Sequence, residues 1–440
     1  MTLDSGALTH GRVLKIAVPI MISNATVPIL GAVDTGVVGQ MGAAAPIGAV
    51  GIGAIVLTAV YWIFGFLRMG TVGLTSQAHG AGDRSEVSAL LMRALMIGVA
   101  GGLALILLQA PLFWVAFRIS PASAEVEGLA RDYMAIRIWS APGAIAIFGI
   151  TGWLIALERA RSVMALQLWM NGVNIVLDLW FVLGLGWGVE GVALATFLAE
   201  WSAFGLGLWL CRPAFSGPDW HAWARVFDRV AVWRMAAVNR DILIRSLLLE
   251  AIFVSFLFLG ADFGDVTLAA NQILIQFLHV TAFALDGFAF AAEALVGQAM
   301  GARARGRLRR GALLTSFWGL ISVLILTAVF ALFGTWVVDL MTTSAQVRAE
   351  ARIYLIYMVF APLTGVAAWM FDGIFIGATR SADMRNMMAV SAAIYCVAVA
   401  VLVPAMGNHG LWLALLVSFV ARGVTLGLRY PALEAQATRG

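Results

Sequence analysis

The sequence predicts an all-α integral-membrane protein of twelve transmembrane helices in two pseudo-symmetric six-helix bundles. Three observations carry that reading. The 440 residues are 62% hydrophobic and 12% charged, with a mean hydropathy of +0.93, values that a soluble domain with a polar surface does not reach. Apolar runs long enough to cross a hydrocarbon layer of about 30 Å recur along the whole length. Finally, Ser76-Gln77-Ala78-His79-Gly80-Ala81 returns 221 positions later as Gly297-Gln298-Ala299-Met300-Gly301-Ala302, and the same offset carries Gly152 onto Gly373, Ile155 onto Ile376 and Arg159 onto Arg380. One register that joins two distant parts of each half marks an internal duplication, the signature of secondary transporters whose halves rock about a central site.

The first half supplies the runs Leu14 to Val38, Ile47 to Val72, Leu95 to Phe117, Tyr133 to Leu157, Val163 to Leu185 and Val189 to Leu210. The second supplies Ile242 to Leu259, Leu268 to Val296, Leu313 to Leu340, Tyr354 to Ile376, Met387 to Val403 and Leu411 to Leu428. Six spans per half return the chain to its starting side, so the repeats are expected to share one orientation. The predicted organisation is a bundle over 1–212, a cytoplasmic interfacial linker over 213–233 and a bundle over 234–440. The linker interleaves Phe215, Trp220, His221, Trp223, Arg225, Phe227 and Arg229, a composition suited to the headgroup plane.

Arginine sets the orientation, since Lys15 is the only lysine. Arg84 and Arg93, Arg159 and Arg161, then Arg212, Arg225, Arg229 and Arg234 mark the second, fourth and sixth connections. The eighth holds Arg303, Arg305, Arg307, Arg309 and Arg310, and the tenth Arg380 and Arg385. The positive-inside rule therefore puts both termini in the cytoplasm. The first run lacks a short apolar core followed by a small-residue cleavage site, so it is expected to stay as a span. The net charge of +4 comes from arginines that face anionic headgroups, and nucleic acid is not expected as a partner. Cys211 and Cys396 lie in separate halves, form no metal or disulfide pattern and are expected to be packing residues.

A charge inside an apolar span costs about 2.5–3.5 kcal/mol on insertion scales, so it persists where it meets a cavity, a partner or an ion path. Asp34, Asp178 and Glu200 fall in such runs in the first half; Asp241, Glu250, Asp286, Glu293 and Asp372 do so in the second, with Arg68, Arg240 and Arg245 as possible partners. Asn174 and Asp178, four apart, share one helical face. An amide beside a buried carboxyl can bond it in either protonation state, which suits a proton carrier; the alternative is that both residues only join helices. Asp34 lies downstream of Pro19 and Pro28, hinge candidates because proline deletes an internal hydrogen bond of the helix. It is either a site residue or a cap for the following loop. For Asp241 and Arg245, local ion pairing is the simpler reading. Asp286 and Glu293 share a face seven residues apart, while the repeat maps Asp286 onto Gly65 and Asp372 onto Thr151, so the halves kept their frame and lost chemical symmetry.

No Gly-rich loop precedes a Lys-Ser or Lys-Thr pair, and no His-Glu-x-x-His or Cys-x-x-Cys occurs, so neither a nucleotide, a metal nor another cofactor is expected. No large catalytic loop is present, and enzymatic activity is not expected. An ion gradient is left as the energy source; a proton needs one titratable carboxylate, sodium several converging oxygens.

These residues bring in a resemblance. The segments Ala17-Val18-Pro19-Ile20, Asp34 to Gln40, Asn174 to Asp178 followed by Gly188 to Thr196, Ala284 to Ala302, and Asp372 to Arg380 with Met384-Arg385-Asn386 resemble the multidrug and toxic compound extrusion (MATE) transporters, specifically their DNA-damage-inducible F branch. The resemblance covers nearly the whole chain. It implies two six-helix bundles in a V shape in the bacterial inner membrane, acting as a monomer that expels cationic or amphiphilic small molecules in exchange for protons. Sodium coupling, or a lipid-linked saccharide flippase of the same superfamily, are the alternatives. In such proteins the carboxyl matched by Asp34 is linked to protonation and to bending of the first helix. Asn174, Asp178 and Thr196 match the surrounding polar network, and Leu30 stands where that network has a tyrosine. Glu250, Asp286, Glu293, Asp372 and Arg245 are secondary cation or substrate candidates.

Overall fold

The computed structural model describes residues 8–40, 44–119 and 122–437, and among them twelve helices are long and apolar enough to span a membrane. They are α1 (His10–Gly39), α2 (Ala44–Gly80), α3 (Arg84–Leu107), α4 (Ala124–Ala156), α5 (Ala160–Gly184), α6 (Gly188–Leu210), α7 (Arg229–Ala261), α8 (Asp265–Gly301), α9 (Arg305–Met341), α10 (Ala345–Gly377), α11 (Ser381–Met406) and α12 (Asn408–Gln436). The apolar runs fall on these helices in order, because in hydrocarbon only a helix satisfies every backbone amide and carbonyl within its own segment.

The third run departs from expectation. Leu95 to Phe117 is split between α3 and a separate helix, Gln109–Ile119. Pro111 has no amide to return to the Leu107 carbonyl, and its ring crowds that carbonyl, so α3 ends there. At the other end α3 starts well before the apolar run, capped by Asp83, whose Oδ1 accepts the Glu86 amide at 3.0 Å. Arg93, assigned to a connection by its charge, therefore lies within the helix and is buried. Its Nε donates to the Val226 carbonyl (2.8 Å), Nη2 to the Arg225 carbonyl (2.6 Å) and Nη1 to Glu86 (2.6 Å). The 213–233 segment is thereby fastened to α3. It forms three short turns, Arg212–Ala214, Pro218–His221 and Trp223–Val226, and its last residues already belong to α7.

The chain divides into two compact units. One comprises Ile22–Thr75 and Asp83–Trp233; the other comprises the chain up to Met21, Ser76–Gly82 and Arg234–Gly440. They are called the first and second bundle below. The early turns of α1 belong to the second bundle because glycine lets backbones meet there: a Cβ on Gly287 would lie 2.7 Å from the Ala17 carbonyl oxygen. The last residues of α2 belong to it for the same reason. A Cβ on Gly80 would lie 2.0 Å from the Gln298 carbonyl oxygen, and one on Gly301 would lie 1.9 Å from that of Gln77. These two contacts are copies of each other under the 221-residue offset.

The duplication reaches the backbone dihedrals. Glu158 (φ 57°) ends α4 in the left-handed region, and so does its counterpart Thr379 (φ 51°) after α10. Both turns close the same way: Glu158 and Arg159 amides donate to Ile155 and Leu154, and Thr379 and Arg380 amides to Ile376 and Phe375. A non-glycine residue there costs roughly 1 kcal/mol, retained twice. Gly152 faces the Arg68 carbonyl (2.4 Å from a built Cβ) just as Gly373 faces that of Ala289 (2.5 Å).

Irregular helix geometry is concentrated in the first bundle. A 3-10 turn interrupts α2 at Ile63–Gly65 and α4 at Ile138–Ser140, and α5 ends in a π turn at Leu179–Gly184, directly after Asp178. Such interruptions commonly accompany functional positions.

Candidate functional site

In the first bundle the 3-4 spacing of polar residues on α5 lines them along one face, toward α1. Gln167 donates to Asn171 Oδ1 (3.1 Å), and Asn171 Nδ2 donates to Thr26 Oγ1 (2.7 Å), whose hydroxyl in turn bonds the Ser23 carbonyl (2.7 Å). About two turns along, Asn174 Nδ2 donates to Asp178 Oδ2 at 2.5 Å and reaches Asp34 Oδ1 at 3.4 Å. One amide therefore serves two carboxyls on two helices. Asp178 and Asn174 are buried and Asp34 is half-buried. Thr196 instead returns its hydroxyl to the Val192 carbonyl at 3.1 Å, within α6. Through Pro19 and Pro28 α1 stays helical from His10 to Gly39.

A second polar group lies in the same bundle. Arg137, at the end of the first helical stretch of α4, is buried; its Nη2 donates to Glu200 Oε1 of α6 (2.6 Å) and its Nη1 to the Tyr133 hydroxyl (3.2 Å). Ser140 Oγ donates to the other Glu200 oxygen, and Tyr61 donates its hydroxyl to the Arg137 carbonyl (3.1 Å). Arg137 acts electrostatically on both Asp34 and Asp178. Sequence reading enclosed it in the run Tyr133 to Leu157 without singling it out, because a lone arginine near the start of a span is also what an interfacial anchor looks like.

In the second bundle the acidic candidates meet arginine. Asp372 of α10 is ion-paired through Oδ2 to Arg245 of α7, and Arg422 of α12 approaches the same oxygen at 3.6 Å. Arg422 also lies 5.6 Å from the centre of the Trp369 ring, a cation–π contact. The local pairing expected between Asp241 and Arg245 does not form. Asp241 pairs instead with Arg385 (2.6 Å) and Arg240 (3.2 Å) and accepts from Ser381 (3.2 Å). The fold brings Arg245 to Asp372 because both arise on helices that close round one core, 127 residues apart in sequence. Glu250 is exposed, Asp286 half-buried and Glu293 buried. Burial pushes the Cys211 thiol up to about 12, as befits a packed residue, whereas Cys396 is exposed rather than packed.

Duplicated six-helix halves, membrane-spanning length and a carboxyl pair bridged by an amide define a multi-pass membrane protein of the secondary-transporter type. The MatE family model matches residues 19–180 and 242–402, one block in each half. The chain belongs to the MatE family. It is 39% identical over 97% of its length, and 92% of the relative's, to the DNA damage-inducible protein F of Escherichia coli. It is 26% identical over 78% of its length, and 76% of the relative's, to a probable multidrug resistance protein NorM of Neisseria meningitidis. Among solved structures, the Vibrio cholerae MATE transporter VcmN in its bent form superposes with a TM-score of 0.86 at 20% identity, covering 98% of each chain. A likeness of that sequence identity bears on the fold alone.

Proposed function

We propose that this chain is a proton-coupled antiporter that exports cationic or amphiphilic small molecules across a bacterial inner membrane, with both termini in the cytoplasm. The names of its relatives support multidrug export. The observation that carries the coupling is the Asn174 amide shared between Asp34 and Asp178. An amide nitrogen donates to a carboxylate, and a protonated carboxyl can turn its own O–H toward a neighbouring oxygen, so the pair can hold zero or one proton without leaving a buried donor unmet. Binding a proton from outside neutralises Asp34, alters its hold on α5 and so the packing of α1, and removes the attraction for a cationic substrate. Proton loss to the cytoplasm restores it. Proton and substrate each shift the equilibrium only through their different affinities for the two states, so competition for the same carboxyls couples them.

Sodium is the weaker reading for this chain, because the carboxylate best placed for it in the second bundle, Asp372, faces two guanidiniums that repel a cation. The experiment is efflux of ethidium from proteoliposomes driven by a pH jump or by a sodium jump. A pH jump drives efflux, a sodium jump does not, and Asp34→Asn abolishes the response. Efflux driven by sodium alone, or full antiport by Asp34→Asn, removes the assignment.

A further inference from the structure

In the first bundle the buried Arg137 is ion-paired to Glu200, and its charge also acts on Asp34 and Asp178. All are held on different helices, α4, α6, α1 and α5. The other titratable groups facing Arg137 are Tyr133 on α4 and Tyr61 on α2. Among the described residues, Arg137 Nε meets no acceptor and Asp178 Oδ1 meets no N–H donor, while the Asp178 carboxyl shares a hydrogen bond with that of Asp34. A guanidinium has five N–H groups in a planar fork, and here Glu200 and Tyr133 engage only two nitrogens. The backbone beneath it is also unusual. Arg137 ends a helical stretch, the 3-10 turn Ile138–Ser140 follows, and Pro142 sits at the restart. A side chain at such a break can change direction without unwinding a continuous helix.

We infer that Arg137 is the exchangeable counter-ion of the Asp34–Asp178 pair: it rests on Glu200 while the pair is protonated and turns toward Asp178 when the proton leaves. The inference rests on the proton-coupled reading above. The physical need is plain: a carboxylate left alone in a water-poor interior is costly, and a nearby cation lowers that cost. The exchange keeps one ion pair formed in each state. Ser140 holds the second Glu200 oxygen throughout, so Glu200 is not stranded when Arg137 departs. The proton passes to solvent and Arg137 keeps its own. Arg137 is thus a positioning residue that sets where on the pH scale the pair responds.

The test is ethidium binding to the purified full-length protein by fluorescence polarisation across the pH range, in wild type, Glu200→Gln, Arg137→Gln, the double variant Arg137→Gln/Glu200→Gln and Asp34→Asn. Glu200→Gln leaves Arg137 on the aspartates and removes a negative charge, so the midpoint of ethidium release moves to lower pH by about one unit, a tenfold change in proton affinity. Arg137→Gln moves it to higher pH by at least as much. Single variants that strand a buried charge can fail to fold, whereas the double variant removes the ion pair whole and is expected to fold. Its midpoint also moves to higher pH, because the departing proton now leaves an uncompensated charge. A double variant that folds and releases ethidium at the wild-type midpoint overturns the inference and makes the Arg137–Glu200 pair structural. The Asp34→Asn control separates the two failures: loss of the pH response there with an unmoved double variant sinks the counter-ion alone, while a response that survives in Asp34→Asn sinks the proton-coupled reading and the counter-ion with it.

Discussion

The two bundles are copies in backbone and opposites in chemistry. Asp34 and Asn174 meet at 3.4 Å in the first bundle; 221 residues on, Ser255 and Tyr395 meet at 3.2 Å in the second. The contact between the same two helical positions survives, yet a carboxyl and amide have become a hydroxyl and phenol. Asp178, Arg137 and Glu200 correspond to Val399, Met358 and Ala421. Conversely Asp372, Arg245 and Arg422 correspond to Thr151, Asn24 and Trp201. Each bundle therefore carries a buried ionic group where its copy is neutral.

The arrangements differ in what they permit. In the first bundle an amide mediates between two carboxyls, a guanidinium pairs with a third acid, Glu200, and helices α2, α4 and α5 are locally distorted beside them. In the second, two arginines grip one aspartate on long, regular helices. An amide-bridged acid pair can gain or lose a proton with little rearrangement. A carboxylate gripped by two guanidiniums suits a clamp among α7, α10 and α12. The repeat supplied one scaffold, and on the proton-coupled proposal side-chain chemistry gives one copy proton handling and the other a structural clamp.

The largest effect is expected from dismantling the second-bundle cluster. Asp372→Asn leaves two buried guanidiniums without a counter-charge and is expected to cost about 3–5 kcal/mol, read as a large drop in melting temperature of the detergent-solubilised protein. The combined Arg245→Met/Asp372→Leu/Arg422→Met variant, which removes the charges as a set, should recover most of that loss and keep pH-dependent ethidium release. Loss of the pH response in the folded triple variant contradicts a division of labour between the bundles.

A smaller effect tests the shared frame. Gly301→Ala places a methyl where the Gln77 carbonyl oxygen lies 1.9 Å away, so the ends of α2 and α8 must separate. Overpacking of this kind costs about 1–3 kcal/mol, and Gly80→Ala should cost about the same because its contact is the copy. Unequal costs, measured as melting temperatures of the two variants, argue that the pseudo-symmetric contacts are not equivalent. The smallest effect is Ser255→Ala, which deletes a hydroxyl contact worth about 0.6 kcal/mol on average inside a membrane protein. It should leave transport and its pH dependence unchanged, whereas a displaced pH profile would mean that the neutral copy still takes part in coupling.

Much of this was legible in the sequence, and physics explains the division. Apolar length fixes the spans, and close backbone approach demands glycine at Gly80, Gly152, Gly301 and Gly373, so the duplication could be read from those positions. The Asn174–Asp178 contact was also legible, since four residues make one helical turn. The partners across helices were not. Asp372 finds Arg245 at a separation of 127 residues and Glu200 finds Arg137 at 63, and no periodicity announces which helices will be neighbours. Arg93 looked like a loop residue because it lies just outside an apolar run, while a helix can bury one guanidinium by giving it carbonyls or a carboxylate. The split of the third run at Leu108 was announced by Pro111, a local signal outweighed by the apolar residues round it.

Proton coupling requires a carboxyl near the end of α1, proposed to be Asp34, to be neutral in one half of the cycle and charged in the other. Infrared difference titration of the purified protein, following the stretch of protonated carboxyls with and without ethidium, measures this directly. The expected result is a protonated-carboxyl band that grows as ethidium leaves and disappears in Asp34→Asn. A band that ignores ethidium and titrates like a carboxylic acid free in water would contradict the account.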